Sequence, residues 1–133
     1  MLIRKSRFAD RKQLFSLFEK LHKKRFNKIS IEFKAKPISL VSEEDGKLVG
    51  FIWGNYLKYA AFRYVIIEDL FVEKEFRNKN IGRKLIEELV KESRRLGAHE
   101  IFVTTEKENR NAIELYSKSG FKKFKNPWFL YRL

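Results

Sequence analysis

The segment from Leu70 to Leu85 constrains the fold of this chain more than any other. It begins in Phe62–Val72, a β-branched and aromatic run typical of a strand. A short basic loop follows, and an amphipathic helical pattern starts at Ile81. The first turn of a helix has free N–H groups and the positive end of the helix dipole, so it can hold a phosphate. Taken alone, the segment fits an ordinary strand–turn–helix and an anion site equally well.

The same kind of pattern predicts elements along the rest of the chain, with a loop over Asn27–Pro37 and a hairpin turn at Glu44–Gly46. The predicted order β α β β β α β α β β describes one α+β domain over residues 1–133. We expect a central, mostly antiparallel twisted sheet of six to seven strands flanked by three to four helices. The elements are strands at Leu2–Lys5, Ile38–Ser42, Leu48–Tyr56, Phe62–Val72, Glu100–Thr105, Phe121–Lys125 and Trp128–Arg132, and helices at Asp10–Arg25, Ile81–Leu96 and Asn109–Lys118.

Two motifs within this order resemble those of the GCN5-related N-acetyltransferase (GNAT) superfamily. The loop Arg77-x-x-Asn80-x-Gly82 is similar to that family's pyrophosphate loop, with Asn80 in place of the first glycine. Asn tolerates a left-handed backbone better than most residues, so the turn can form. The segment Asn109–Phe121 has every anchor of the family's Asn-x-x-Ala-x-x-Leu-Tyr-x-x-x-Gly-Phe motif. The resemblance covers residues 46–133 well and the first 45 only by element order.

The resemblance implies that acetyl-coenzyme A is the co-substrate. In the family, the strand before the loop pairs its backbone with the pantetheine arm, which here assigns Leu70, Phe71 and Val72. The amide of Leu70 would then hydrogen-bond the acetyl carbonyl. The start of the later helix, at Asn109 and Ala112, would contact the pantetheine. The pyrophosphate would lie on the loop and helix start, formed by Arg77, Asn78, Lys79, Asn80, Ile81, Gly82 and Arg83.

Two residues are candidates for acid–base catalysis. The resemblance places Tyr116 where the family has a general acid that protonates the leaving thiolate. Glu68 is the candidate general base, because an ammonium acceptor must lose a proton before it attacks. Strict strand alternation would put Glu68 on the face of Leu70 and Val72, and Asp69 on the other. The alternatives are a core aromatic for Tyr116 and an ion-pair partner for Glu68.

The absence of cysteine excludes an acyl-cysteine intermediate and favours direct attack of a primary amine in a ternary complex. The run Ile67–Val72 resembles the diamine and polyamine acetyltransferase branch, and so does Trp128–Tyr131. A small-molecule amine and a protein amino group both remain open as acceptors. We expect no metal site, because His22 and His99 are far apart in sequence and neither has nearby ligand spacing.

The formal net charge of +13 bears on partners rather than on fold. It disfavours a polycationic acceptor unless the cleft is locally acidic. It is compatible with an acidic protein or nucleic acid as partner, and equally with a solvated surface. One alternative function is therefore a basic nucleic-acid- or ribosome-associated binding protein. Another is a degenerate family member that binds acetyl-coenzyme A without turnover.

Apolar runs are too short for a membrane span, and the first residues lack a signal-peptide pattern, so we expect a cytoplasmic protein. Many members of the family form dimers, often through their late strands. The predicted hairpin at Phe121–Leu133 offers such a surface for a homodimer.

Overall fold

The computed structural model describes the backbone of residues 1–133 and every side chain except that of Ile31. Short 3-10 turns at Phe8–Asp10 and Lys74–Phe76 precede two of the three α-helices. The helices are α1 (Arg11–His22), α2 (Ile81–Arg95) and α3 (Arg110–Lys118), and the strands are β1 (Ser30–Glu44), β2 (Lys47–Ala60), β3 (Phe62–Val72) and β4 (Glu100–Val103).

The four strands form one mixed sheet in the order β1-β2-β3-β4. β2 pairs with both β1 and β3 in antiparallel, and β3 pairs with β4 in parallel. Asp45 and Gly46 turn the β1–β2 hairpin with positive φ angles of 48° and 77°, where the sequence predicts a turn. The α+β class and the mostly antiparallel sheet are confirmed, but the sheet has four strands rather than six to seven.

Both ends of the chain differ from the sequence prediction. Leu2–Lys5 forms no strand; Arg4 instead binds the Asp10 carboxylate, with nitrogen–oxygen distances of 2.8 and 2.9 Å. Phe121–Lys125 and Trp128–Arg132 form no strands either. Lysines interrupt the first of these segments, and no neighbouring strand pairs with either. Apolar alternation without a pairing partner is not enough to make a strand.

The predicted loop at Asn27–Pro37 is also wrong from Ser30 onward, because β1 begins there. Pro37 lies within this strand, opposite Asn55 of β2. A proline lacks the N–H that a central strand would need, but β1 is at the edge of the sheet, where one side needs no donor. Pro37 therefore marks an edge strand and not the end of a loop.

The core lies between the sheet and α2. Ile52, Val65, Ile86 and Leu89 have 0–1% of their surface exposed, and Leu89 packs against β2 at Gly54. On the other face, α1 contacts the sheet through Phe18, whose ring lies 5.7 Å from that of Phe62. Among the residues that the structure describes, no helix is both long and apolar enough to cross a bilayer.

Candidate active site

β3 contains a β-bulge at the point where its pairing with β4 ends. Trp53 pairs with Asp69 and Gly54 with Ile67, so Glu68 is an extra residue without a partner on β2. On the other side, the pairing of β3 with β4 ends at Ile67 and Val103. From Glu68 onward the sheet is therefore open between β3 and β4.

The bulge changes which side chains face the core. Val65 and Ile67 are buried before it, and Leu70 and Val72 pack against the core after it. Glu68 is exposed and accepts a hydrogen bond from Asn55 Nδ2 at 3.4 Å, on the face away from α2. The expectation that Glu68 shares a face with Leu70 and Val72 is wrong, because the extra residue interrupts strict alternation.

Backbone groups of β3 line this opening. Glu73 N–H donates to the Val49 carbonyl at 2.8 Å, so residue 73 points towards β2. Alternation then directs the N–H and C=O groups of Leu70 and Val72 towards the open edge. The Val72 carbonyl accepts a hydrogen bond from Arg77 Nε at 2.8 Å. The Leu70 amide thus faces the gap, with the geometry that the sequence-based hypothesis requires.

The loop after β3 directs the first turn of α2 to the same opening. Asn78 and Asn80 both adopt left-handed backbone with φ of 63°, as the sequence predicts for Asn80. The first bond to the Asn80 carbonyl comes from Lys84 N–H at 3.0 Å. The N–H groups of residues 81–83 have no acceptor among the described residues. Such a turn can receive an anion.

The side chains around this turn supply less free charge than their number indicates. Arg83 pairs with Glu87 at 3.2 Å, and Lys79 Nζ lies 5.2 Å from the Phe76 ring centroid. Gly82 packs closely, since a Cβ there would be 3.2 Å from Leu115 Cδ2 of α3. The resemblance assigned this glycine only to the pyrophosphate loop. The structure adds a packing reason, the close approach of α2 and α3.

The α3 motif places a buried tyrosine next to the opening. Asn109 caps the helix, its Oδ1 accepting from Ala112 N–H at 3.1 Å. Tyr116 is 8% exposed, and its ring lies 5.5 Å from that of Phe121. Burial, and then the nearby Asp69 carboxylate, raise the pKa of the Tyr116 phenol above 10.0. The phenol is therefore protonated at neutral pH and can act as a proton donor.

Asp69 is the site residue that sequence reasoning missed as a functional group. Ordinary alternation gave it the face opposite Leu70 and no role. Its charge acts on Tyr116, and it follows the bulge directly. Nothing in the run Ile67–Val72 signals a bulge, since neither glycine nor proline occurs there.

Two clefts lie away from these residues. One, of about 610 Å³, is beside α1 and is lined by Phe8, Phe15 and Glu19 among others. The other, of about 680 Å³, lies at the β2–β3 hairpin end of the sheet. Neither is lined by the bulge or by α3, so cavity size alone would misplace the site that the geometry and the backbone donors indicate.

Comparison with known proteins agrees with the fold and the motifs. The family model described as Acetyltransferase (GNAT) family matches residues 7–121. An L-methionine sulfoximine/L-methionine sulfone acetyltransferase of Salmonella typhimurium is 35% identical over 83 residues, covering 62% of this chain and 48% of the relative. The chain spans about half the length of these curated relatives, including an L-amino acid N-acyltransferase of Escherichia coli.

Two solved structures share the fold. An aminoglycoside acetyltransferase from an uncultured soil metagenomic sample has a TM-score of 0.64 and 25% identity, covering 98% of this chain and 77% of the other. The aminoglycoside N-acetyltransferase AAC(6')-Iy in complex with CoA has a TM-score of 0.66 and 22% identity, covering 94% and 89%. With the family model matching most of its length, this chain belongs to the acetyltransferase (GNAT) family.

Proposed function

We propose that this chain is an acetyl-coenzyme A-dependent N-acetyltransferase that acts on a primary amine by direct attack in a ternary complex. The observation that carries this proposal is the opening between β3 and β4 at the Glu68 bulge. The Leu70 amide faces this opening, the first turn of α2 meets β3 where a Cβ at Gly82 would lie 3.9 Å from Val72 Cγ2, and the Tyr116 phenol is near Asp69. Family membership and the CoA complex of a structural neighbour support the same co-substrate.

The residues at the opening fit the parts of acetyl-coenzyme A. The N–H groups of Ile81–Arg83, with Arg77 and Lys79 beside them, suit the pyrophosphate. The edge formed by Leu70 and Val72 offers hydrogen bonds to the pantetheine amides. The Leu70 N–H would donate a hydrogen bond to the acetyl carbonyl oxygen, on which negative charge develops during attack. The Asn109 side chain already caps α3 through its oxygen, so only its NH₂ group is available to the pantetheine.

Acetyl transfer moves protons at the nitrogen and at the sulfur. The acceptor ammonium gives a proton to Glu68, whose carboxylate is exposed on the far face of the bulge. The free amine attacks the thioester carbonyl and the carbon–nitrogen bond forms. The carbon–sulfur bond then breaks, Tyr116 donates a proton to the leaving sulfur, and its phenolate regains a proton, through solvent, from the nitrogen that becomes the amide. Glu68 releases its proton to solvent. Asp69 adds to the burial that raises the pKa of the Tyr116 phenol.

For the acceptor, we favour a small primary amine such as an amino acid. One relative is named for acetylating methionine sulfoximine and methionine sulfone, and another is named an L-amino acid N-acyltransferase of Escherichia coli. Near Glu68, the rings of Phe51 and Trp53 lie 4.5 Å apart on a half-open surface. An aromatic surface beside a carboxylate suits an ammonium group with an apolar substituent. Diamines and polyamines are the second class to test.

The test is an amine-panel assay that follows thiol release from acetyl-coenzyme A, run on the parent, Glu68→Gln, Asp69→Asn and Tyr116→Phe. We expect Glu68→Gln and Tyr116→Phe each to lower kcat about 10²-fold, the lower range for acid–base groups. We expect a smaller loss for Asp69→Asn. The hairpin variant Glu44→Gln serves as the control. Full activity in both Glu68→Gln and Tyr116→Phe would overturn the assignments, and ping-pong kinetics would overturn the ternary complex.

We also propose that residues 1–133 act as one N-acetyltransferase domain, because the buried side chains form one cluster. The homodimer stays a prediction. Light scattering would check it by a solution mass of twice 16.0 kDa.

A further inference from the structure

A line of cationic side chains crosses the sheet at the end far from the bulge. Lys34 of β1 lies directly opposite Lys58 of β2, and Lys58 lies directly opposite Arg63 of β3. His99 continues the line, since its N–H donates to the Arg63 carbonyl at 2.8 Å. We call these four residues the cationic row.

The three cross-strand cations face the same side of the sheet as α2. Lys58 has the same alternation as the buried Tyr56, and Arg63 the same as the buried Val65. The Arg63 side chain lies beneath the loop after α2, where a Cβ at Gly97 would be 3.2 Å from the guanidinium. All four residues line the 680 Å³ cleft, and Lys28 and Glu32 line it too.

The charge of the cationic row is not neutralised by the surrounding protein. Like charges directly opposite each other on neighbouring strands destabilise a sheet. Among the described residues, no ion pair involves Lys34, Lys58 or Arg63. Glu32 is the one carboxylate among the described residues lining the cleft. The arrangement therefore lowers the stability of the free protein, and a bound anion would raise it.

The end of α2 compensates the row only in part. A helix C-terminus carries partial negative charge, which favours the nearby Arg63. The final N–H groups already bond the last carbonyls, with Leu96 to Glu92 at 3.0 Å and Gly97 to Arg94 at 2.9 Å. The Glu92 carboxylate is engaged by Arg95. No full negative charge of α2 is left for the row.

We propose that the cationic row binds a chain of phosphate groups, such as the backbone of a single-stranded nucleic acid. Strands lie about 4.8 Å apart, so Lys34, Lys58 and Arg63, which carry the charge of the row, extend over roughly 10 Å, longer than one phosphate. Tyr59, Phe62 and Tyr64 are on the opposite face, where Phe18 contacts Phe62. Bases cannot stack on these rings from the row, so binding follows phosphate charge and not base sequence.

This site is separate from the proposed co-substrate site. The two lie at opposite ends of α2, whose 15 residues span about 22 Å. A phosphate chain in the cleft would leave the first turn of α2 free. Acetyl-coenzyme A should therefore not displace a ligand of the row, and the proposal does not depend on acetyl transfer.

The experiment is fluorescence anisotropy with a labelled single-stranded oligouridylate at low salt. The test variant is Lys34→Gln/Lys58→Gln/Arg63→Gln. The control is Lys122→Gln/Lys123→Gln/Lys125→Gln, which removes the same charge from the exposed C-terminal segment. We expect the row variant to weaken binding at least tenfold and the control about threefold or less. The slope of log affinity against log salt should fall by about 2 in the row variant.

Competition separates the two sources of phosphate. Inorganic polyphosphate and unlabelled oligouridylate should both displace the probe; the stronger competitor identifies the better ligand. Acetyl-coenzyme A should not displace it. Equal weakening by both triple variants, no binding by the parent, or equal competition by polyglutamate of matched charge would each overturn the proposal, since each leaves only general electrostatic attraction.

A stability measurement distinguishes loss of binding from loss of folding in the row variant. Removing opposed like charges should leave the Tm of the row variant unchanged or raise it. If the triple variant unfolds, Lys58→Gln alone changes the centre of the row. Lys58→Gln must then weaken oligouridylate binding more than Lys123→Gln does, or the proposal fails.

Discussion

The two ends of α2 attract anions by opposite means. At the N-terminus the donors are backbone N–H groups, and the helix dipole favours negative charge. At the C-terminus the dipole disfavours an anion, and attraction has to come from Lys34, Lys58 and Arg63. The first end needs a particular loop shape, while the second needs a particular strand register. The proposed site at one end of α2 is therefore formed by backbone groups, and the proposed site at the other end by side chains.

The strongest test of this comparison is Leu89→Ala, which should affect both ends together. Leu89 is fully buried at the middle of α2, against β2. Losing its side chain should lower the free energy of unfolding by about 2–5 kcal/mol. Urea denaturation measures this loss. Glu87→Ala, on the exposed face, is the control and should change stability by about 0.5 kcal/mol or less. Equal stability of both variants would show that α2 does not tie the two ends together.

A smaller change should separate the two ends. Asn80→Val places a β-branched side chain at φ 63°, which should lower the free energy of unfolding by about 1–2 kcal/mol. Asn80→Gly fits the same backbone freely and should be neutral or slightly stabilising. We expect calorimetric affinity for acetyl-coenzyme A to fall in Asn80→Val and to hold or rise in Asn80→Gly. Oligouridylate binding should not change in either variant. A parallel loss of both affinities would contradict independent sites.

The smallest effect belongs to Tyr116 and appears only at alkaline pH. Because folding raises the pKa of this phenol, the folded state holds its proton more tightly than the unfolded chain. The resulting stability is present below pH 10.0 and is lost as pH rises through the folded-state pKa. Between about pH 9 and 11, the parent should lose stability more steeply than Tyr116→Phe. Urea midpoints across this range measure the difference, and identical slopes would show that folding does not raise the pKa of this phenol.

Much of the α2 N-terminus could be predicted from sequence because its parts are contiguous. The strand end, the left-handed Asn80, the start of α2 and the start of α3 next to Asn109 all follow from local spacing and residue type. The same holds for the β1–β2 turn. Local chemistry decides these features, so a single sequence contains the information.

Features that depend on register could not be predicted. The cationic row combines positions 34, 58, 63 and 99, which only strand pairing brings together. The Glu68 bulge has no local signal, and it changed the face assigned to Glu68. The terminal segments failed for a related reason: alternation predicts how a strand would be buried, but a partner strand decides whether it forms. Pro37 was wrongly assigned to a loop, because a proline disrupts a central strand but is tolerated in an edge strand.

The number of residues in β3 and the identity of residue 68 have different effects on this strand. Buried positions have odd numbers up to Ile67 and even numbers from Leu70, so one inserted residue changes the parity of the strand. Deleting position 68 would remove the bulge and restore regular alternation, with Ile67, Leu70 and Val72 still towards the core. Substitution at position 68 keeps the bulge. Selection can therefore exchange the carboxylate for another side chain without losing the bulge, whereas loss of one residue between Ile67 and Leu70 would remove it.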